Sequence, residues 1–294
     1  MVEKLVDELS FSQQRMHRKS KSRFREYLKS KAVKLDLEYS EKPKTIFAKN
    51  VVIGDLEKAK FVLTAHYDTP PRMPAFLMRS VLFFNIAALV IVLGLFILFP
   101  LLELPVILLP LIYMFLFFHT MGFGIANKYN FNDNSSGVIT VLGLMESLKN
   151  QEVAYVFFDN EEKGLLGSFA LSKYMKKNKQ YDPKNKIFIN FDCVGRGNTF
   201  VINPFSYKRV AREIIEAGNE FNEFAFEIKR PSVLAASDHF AFAKYHSLGI
   251  MCYNKKGKKY KMNDIHSHKD KNIKKENIEI LINAIQKVVD RGIE

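Results

Sequence analysis

Cysteine is scarce in this chain. Of its 294 residues only Cys193 and Cys252 are cysteines, both within apolar, strand-like segments. A disulfide framework is thereby excluded, and the usage suits a reducing compartment. Met1 to Ala32 is charged and helical in pattern and lacks an apolar h-region, which argues against a cleaved secretory signal. Internal repeats and low-complexity linkers are also missing. Acidic residues are in deficit, 31 Asp+Glu against 44 Lys+Arg, for a formal net charge of +13. The basic residues cluster at Arg15 to Arg25, Lys255 to Lys261 and Lys269 to Lys275, yet no nucleic-acid module accompanies them. Nucleic acid is therefore not an expected partner. Solvated faces account for the charge first, and attraction to an anionic leaflet, about 1 kcal/mol per basic residue, comes next.

Charge itself is missing from one long stretch. No charged residue occurs from Ser80 to Leu102, and after Glu103 none occurs until Lys128. Read as a helix, Ser80 to Leu102 would be about 34 Å long at 1.5 Å per residue, matching a hydrocarbon core of about 30 Å. Leu104 to Ala126 is a second such run, with Pro100, Glu103 and Pro105 marking a turn between them and Pro110 kinking the second. The expectation is a transmembrane helical hairpin, residues 77–126, inserted into a discontinuous domain of residues 1–76 and 127–294. Arg72, Arg79 and Lys128 flank the open end, so the positive-inside rule places the domain in the cytoplasm. An integral membrane protein with two transmembrane helices follows, with the lipid bilayer as a partner. Asp133 lies about six residues beyond Asn127, a reach of roughly 20 Å. That tether suggests membrane-associated peptides as substrates.

Without the insert roughly 240 residues remain, the size of one α/β domain. Phe61 to Ala65, Val153 to Phe158, Ile187 to Phe191 and Gly249 to Tyr253 read as buried strands. Val138 to Leu148, Leu165 to Met175, Val210 to Ala217 and Ile273 to Val289 read as helices. Such alternation predicts an α/β fold with a mixed, mostly parallel sheet flanked by helices. His66, the pair Glu161-Glu162 and Asp192 each fall just beyond a strand, where open α/β sheets place their sites.

These residues suit a metal. His66, Asp133, Glu162, Asp192 and His266 offer imidazole and carboxylate with no thiolate, a set that fits zinc, with cobalt or manganese as substitutes. Asp133 can bridge two ions, and Asp68 can orient the His66 imidazole. Glu161, whose side chain should diverge from that of Glu162, is the candidate general base. His268 is an alternative to His266. Each motif alone is weak; their order and context give them weight.

Taken together they carry a resemblance. His66-Tyr-Asp68, Asn132-Asp133-Asn134-Ser-Ser-Gly137, Glu161-Glu162-Lys-Gly164-Leu-Leu-Gly167-Ser168, Asp192-Cys-Val-Gly195 and His266-Ser-His-Lys-Asp270 resemble the co-catalytic zinc aminopeptidases of metallopeptidase family twenty-eight, of leucine aminopeptidase or aminopeptidase Y type. Ser237-Asp238-His239 is similar to a further segment that lies near the family's substrate pocket. The resemblance implies a zinc exopeptidase, phosphorylase/hydrolase-like fold and two zinc ions bridged by Asp133. One ion would be held also by His66 and Asp192, the other by Glu162 and His266. Glu161 would be the base and Asp68 the partner of His66, in the removal of N-terminal residues from a peptide substrate. Two features depart from the family: the insert separates His66 from Asp133, and an oxyanion-assisting tyrosine has no certain match, Tyr253 and Tyr260 being candidates. The same fold hosts glutaminyl cyclases with a single zinc, and scaffolds that have lost their ligands. Both stand as alternatives.

Overall fold

The computed structural model describes residues 1–72, 89–96, 98, 109, 111, 113–115, 124–148, 152–206, 208–221, 224–232, 236–262 and 264–292. Its strands are β1 (Tyr39–Lys44), β2 (Lys49–Ile53), β3 (Phe61–His66), β4 (Val153–Phe158), β5 (Ile187–Phe191), β6 (Thr199–Pro204), β7 (Ala225–Ile228), β8 (His246–Lys256) and β9 (Lys259–Lys261). They form one sheet in the order β1-β2-β4-β3-β5-β8-β6-β7, with β9 paired to β8. The centre, β4-β3-β5-β8, is parallel, while β2 on β4 and β6 on β8 are antiparallel. The mixed, helix-flanked architecture is as the alternation of elements suggests, but among the described residues the sheet is not mostly parallel: antiparallel pairings of β1 with β2, β2 with β4, β6 with β8 and β8 with β9 equal the parallel ones in number.

The central strands read as unbroken apolar runs because both faces are covered. Successive side chains point to opposite faces. Phe61, Leu63 and Ala65 of β3 join one core, packed with α1 (Val2–Ser10), α2 (Arg18–Lys34), α3 (Gly137–Ser147), α5 (Lys208–Asn219) and α6 (Lys275–Arg291). Val62 of β3, with Ala154, Val156 and Phe158 of β4, packs against Leu171 and Met175 of α4 (Leu166–Lys177) on the other side. Helix α3 is buried from Gly137 to Met145, all round its circumference, as befits a helix pressed between the sheet and α6.

The hairpin expectation needs correction. Among the described residues no helix is long and apolar enough to cross a membrane. The two runs, 80–102 and 104–126, lie largely outside the described residues. The two transmembrane helices, the integral-membrane address and the cytoplasmic side inferred from flanking charges are accordingly withdrawn. The idea of membrane-associated substrates rested on them and is not carried forward. What the structure does describe is the neck of this segment. Arg72 donates its backbone N–H to the Ile125 carbonyl at 2.6 Å and Asn127 donates to Pro70 at 3.3 Å. The segments on either side of this stretch are thus paired with each other, with Pro71 bridged to Ala126.

Candidate metal centre

Three parallel strand ends converge on one spot. His66 is the last residue of β3 and stands in register with Phe158 at the end of β4, so the turn carrying Glu161 and Glu162 begins beside it. Strand β5 ends at Phe191, and Asp192 follows. Asp133 sits on an irregular helical turn, Phe131–Ser136, that feeds α3. His266 comes from the loop after β9 and has φ +52, a left-handed backbone seldom adopted by a residue other than glycine.

The polar side chains around Asp133 explain their spacing. Asn134 donates from Nδ2 to the Phe191 carbonyl (2.9 Å), and its Oδ1 accepts the N–H groups of Gly137 (3.0 Å) and Cys193 (3.2 Å). Asn132 Oδ1 accepts from Gly195 N–H at 2.9 Å and Ser136 Oγ from Val194 N–H at 3.0 Å. The turn bearing Asp133 is therefore pinned to the loop bearing Asp192. Gly137 is required by the same closeness, since a Cβ there would fall 2.3 Å from the Phe191 carbonyl oxygen. Asp270 accepts the backbone N–H groups of Asn132 (2.9 Å) and Asp133 (3.0 Å), fixing the turn from below.

The donors fall into sets that share a carboxylate. Asp133 Oδ1 lies 3.5 Å from His66 Nε2, and Asp192 Oδ1 lies 3.7 Å from the same nitrogen. On the other side, Asp133 Oδ2 lies 2.8 Å from His266 Nε2, which is 3.6 Å from Glu162 Oε2. Each trio, His66–Asp133–Asp192 and Asp133–Glu162–His266, can hold a metal ion, with donor atoms within 4.8 Å of one another. A third trio, His66–Glu161–Glu162, meets the same limit. The two glutamates therefore converge rather than diverge, because the turn after β4 curls over the end of β3.

Asp68 does something broader than orient an imidazole. His66 Nδ1 is closer to the Asp68 backbone carbonyl (3.1 Å) than to its carboxylate (3.6 Å). That carboxylate accepts the N–H groups of Glu161 (3.0 Å) and Glu162 (3.3 Å), and so shapes the glutamate turn. His268 is exposed and belongs to none of the trios found among the described residues. Tyr253 lines the cavity over the site, whereas the Tyr260 hydroxyl donates to Glu227 on β7. Arg15 escapes sequence reading: it lies in a basic run that reads as a solvated face, yet its side chain is completely buried beside the site.

The electrostatics ask for a cation. Burial raises the pKa of Glu161 and Glu162 well above the carboxylate range, helped by the charges of Glu162, Asp238 and Asp192 at Glu161 and of Asp133, Asp68 and Asp192 at Glu162. Burial lifts Asp238 and Asp270 to about 7. Asp192 goes the other way, to about 2, because its contact with His66 outweighs burial. Burial lowers the pKa of His66, but Glu161, Asp192 and Asp68 more than reverse this and raise it well above the ordinary value. The cluster of carboxylates around two imidazoles leaves negative charge that a divalent ion would balance. The donor set, nitrogen and oxygen without sulfur, fits zinc.

A pH-dependent stability follows. A carboxyl whose pKa is higher folded than unfolded stabilises the fold at low pH, and that contribution is lost as pH rises toward the folded value. Between about pH 4 and 7, the window set by Asp238 and Asp270, the metal-free protein should therefore lose stability. An ion that binds only the ionised carboxylates offsets the loss. The gap in melting temperature between zinc-loaded and chelator-treated protein should widen across this window; a constant gap would contradict it.

A sequence profile of peptidase family M28 matches residues 118–289. The chain belongs to peptidase family M28. No curated protein matches it. Among solved structures, this M28 chain is similar to the LapA aminopeptidase of Legionella pneumophila: TM-score 0.64, 14% identity, covering 97% of this chain and 69% of that one. It is similar to the glutaminyl cyclase of Porphyromonas gingivalis with TM-score 0.67 and 16% identity, over 99% of this chain and 97% of that one. It also resembles BSAP, a zinc aminopeptidase from Bacillus subtilis, at TM-score 0.52 and 18% identity, over 81% of this chain and 50% of that one. At these identities the structures share a fold with the M28 chain.

Proposed function

We propose that this M28 chain is a zinc-dependent aminopeptidase that holds two ions. The observation that carries the reading is Asp133, which turns one carboxylate oxygen toward each of two His–carboxylate pairs. His66 and Asp192 would complete one site, and Glu162 and His266 the other. Zinc held there supplies Lewis acidity, polarising a carbonyl oxygen and lowering the pKa of water. Glu161 faces the same space and is left as the proton carrier. As a carboxylate facing that space it would accept a proton from water and return it to the leaving amine.

The cavity over the site has a volume of about 330 Å³. One wall is the carboxylate cluster; the other is apolar, formed by Ala236, Met251, Tyr253, Met262 and Ile265. Carboxylates repel an acidic substrate side chain, and the apolar wall leaves a charged one without partners. Leucyl, methionyl and phenylalanyl substrates should therefore exceed aspartyl and glutamyl ones by about 10–100-fold in kcat/KM. A panel of aminoacyl anilides assayed alongside metal content tests both parts. About two zinc per chain with that ranking supports the reading, and no release of any N-terminal residue by zinc-loaded protein refutes it.

A second reading has its own observation. The P. gingivalis glutaminyl cyclase is covered over 97% of its length, against 69% of LapA, so the cyclase is the nearer match in extent. Cyclisation of N-terminal glutamine with about one zinc per chain would favour that activity over hydrolysis.

A further inference from the structure

Arg15 is completely buried, and nothing in its basic neighbourhood foretells it. Its guanidinium donates from Nε to the Tyr67 carbonyl at 2.6 Å and from Nη2 to Ser135 Oγ at 2.9 Å. Nη1 donates back to the Ser12 carbonyl at 2.5 Å, and the backbone N–H donates to Thr69 Oγ1 at 2.9 Å. The plane lies 4.9 Å from the centre of the Phe24 ring. The places it joins are telling. Tyr67 stands between His66 and Asp68, and Ser135 is two residues beyond Asp133. Gln13 repeats the pattern: its Oε1 accepts from Ser135 Oγ (3.1 Å) and its carbonyl from Asn130 Nδ2 (2.7 Å).

Burying a guanidinium costs several kcal/mol, and an apolar side chain of similar volume often serves stability as well or better. Packing alone therefore gives little reason for a cation here. What an apolar residue cannot supply is a rigid fork of donors spanning two segments. Those segments, the end of β3 and the turn before α3, carry His66 and Asp133, which lie 67 positions apart in sequence. Burial draws the Arg15 pKa down to about 10 while Asp68 and Asp133 draw it up, so it stays charged at neutral pH.

We infer that Arg15 is a positioning residue for the metal centre, holding the His66–Asp68 strand end and the Asp133 turn at the spacing the donor trios need. The inference rests on the reading of these trios as a zinc site. It also makes residues 12–15, outside the 118–289 segment that the family profile matches, part of the working site.

The experiment uses the full chain with three substitutions, Arg15→Met, Arg15→Lys and Ser135→Ala. Zinc affinity is measured by competition with a chelator, and thermal unfolding is measured on metal-free protein. Arg15→Met should weaken zinc binding by about 10–100-fold, the range typical when a group that orients a ligand is lost. Arg15→Lys should recover only part of this, because an ammonium is not a planar fork. Ser135→Ala, which removes one acceptor and keeps the cation, should weaken binding several-fold and guards against Arg15→Met failing to fold. A lower melting temperature with zinc affinity within twofold of the parent in Arg15→Met and Ser135→Ala would make Arg15 merely structural and overturn the inference. Weakened zinc binding in a protein without peptidase activity would uphold Arg15 and refute the aminopeptidase reading. A parent protein that binds no zinc would refute both.

Discussion

Replacing Glu161 with glutamine is expected to lower kcat/KM by about 10²–10⁴-fold, the usual contribution of a general acid–base group. In barrier terms this is about 3–5 kcal/mol, at 1.36 kcal/mol per factor of ten. The fall should lie in kcat, because glutamine keeps the shape and the Asp68-anchored backbone and loses only the capacity to take a proton. Zinc content should not change, since neither trio built on Asp133 includes Glu161. The third trio, His66–Glu161–Glu162, makes the metal measurement decisive. If Glu161→Gln lost an ion together with its activity, Glu161 would be a ligand and the base would have to be sought elsewhere.

Asp133→Asn should have the other large effect. Asp133 is nearly buried and serves both His66 and His266, so one substitution weakens two sites at once. Zinc affinity should fall beyond the 10–100-fold typical of an indirect partner, with stoichiometry reduced to one ion or none. Activity should fall by at least the amount seen for Glu161→Gln. The backbone should stay in place, because Asp270 holds it through the N–H groups of Asn132 and Asp133. Metal analysis and near-ultraviolet circular dichroism of the variant separate loss of metal from loss of fold. Retention of two ions with full activity would mean that Asp133 bridges nothing.

How much of this was legible depends on what sort of signal each residue leaves in the chain. Strands β3, β4, β5 and β8 are recognisable because burial on both faces makes them continuous apolar runs. Val153–Phe158 and Ile187–Phe191 are found at their expected limits. Strand β1 is not, since a lysine-bearing edge strand such as Tyr39–Lys44 has no apolar period to betray it, and β2, an inner strand, offers only the short apolar run Val51-Val52-Ile53. Strand β6, Thr199–Pro204, contains asparagine and proline and looks like a turn, yet all of it is buried. The uncharged stretch misled in the opposite direction. Low charge and length are necessary for a membrane span, but they do not establish one, and among the described residues no helix meets the requirement.

The sequence by itself determined the chemistry on offer: two histidines, a run of carboxylates placed just after apolar strands, and no thiolate among them. Side-chain type and position relative to a strand end are local properties, and local properties can be read from order alone. Only the tertiary structure decided who meets whom. It set Asp133 between His66 and His266, turned Asp68 toward the glutamate turn, brought Glu161 and Glu162 to converge on His66, and buried Arg15 beneath them. These are contacts between residues up to 133 positions apart in sequence (Asp133 to His266), fixed by parallel strand register and by a hydrogen-bonded turn. Neither leaves a mark on the composition of the segments it joins.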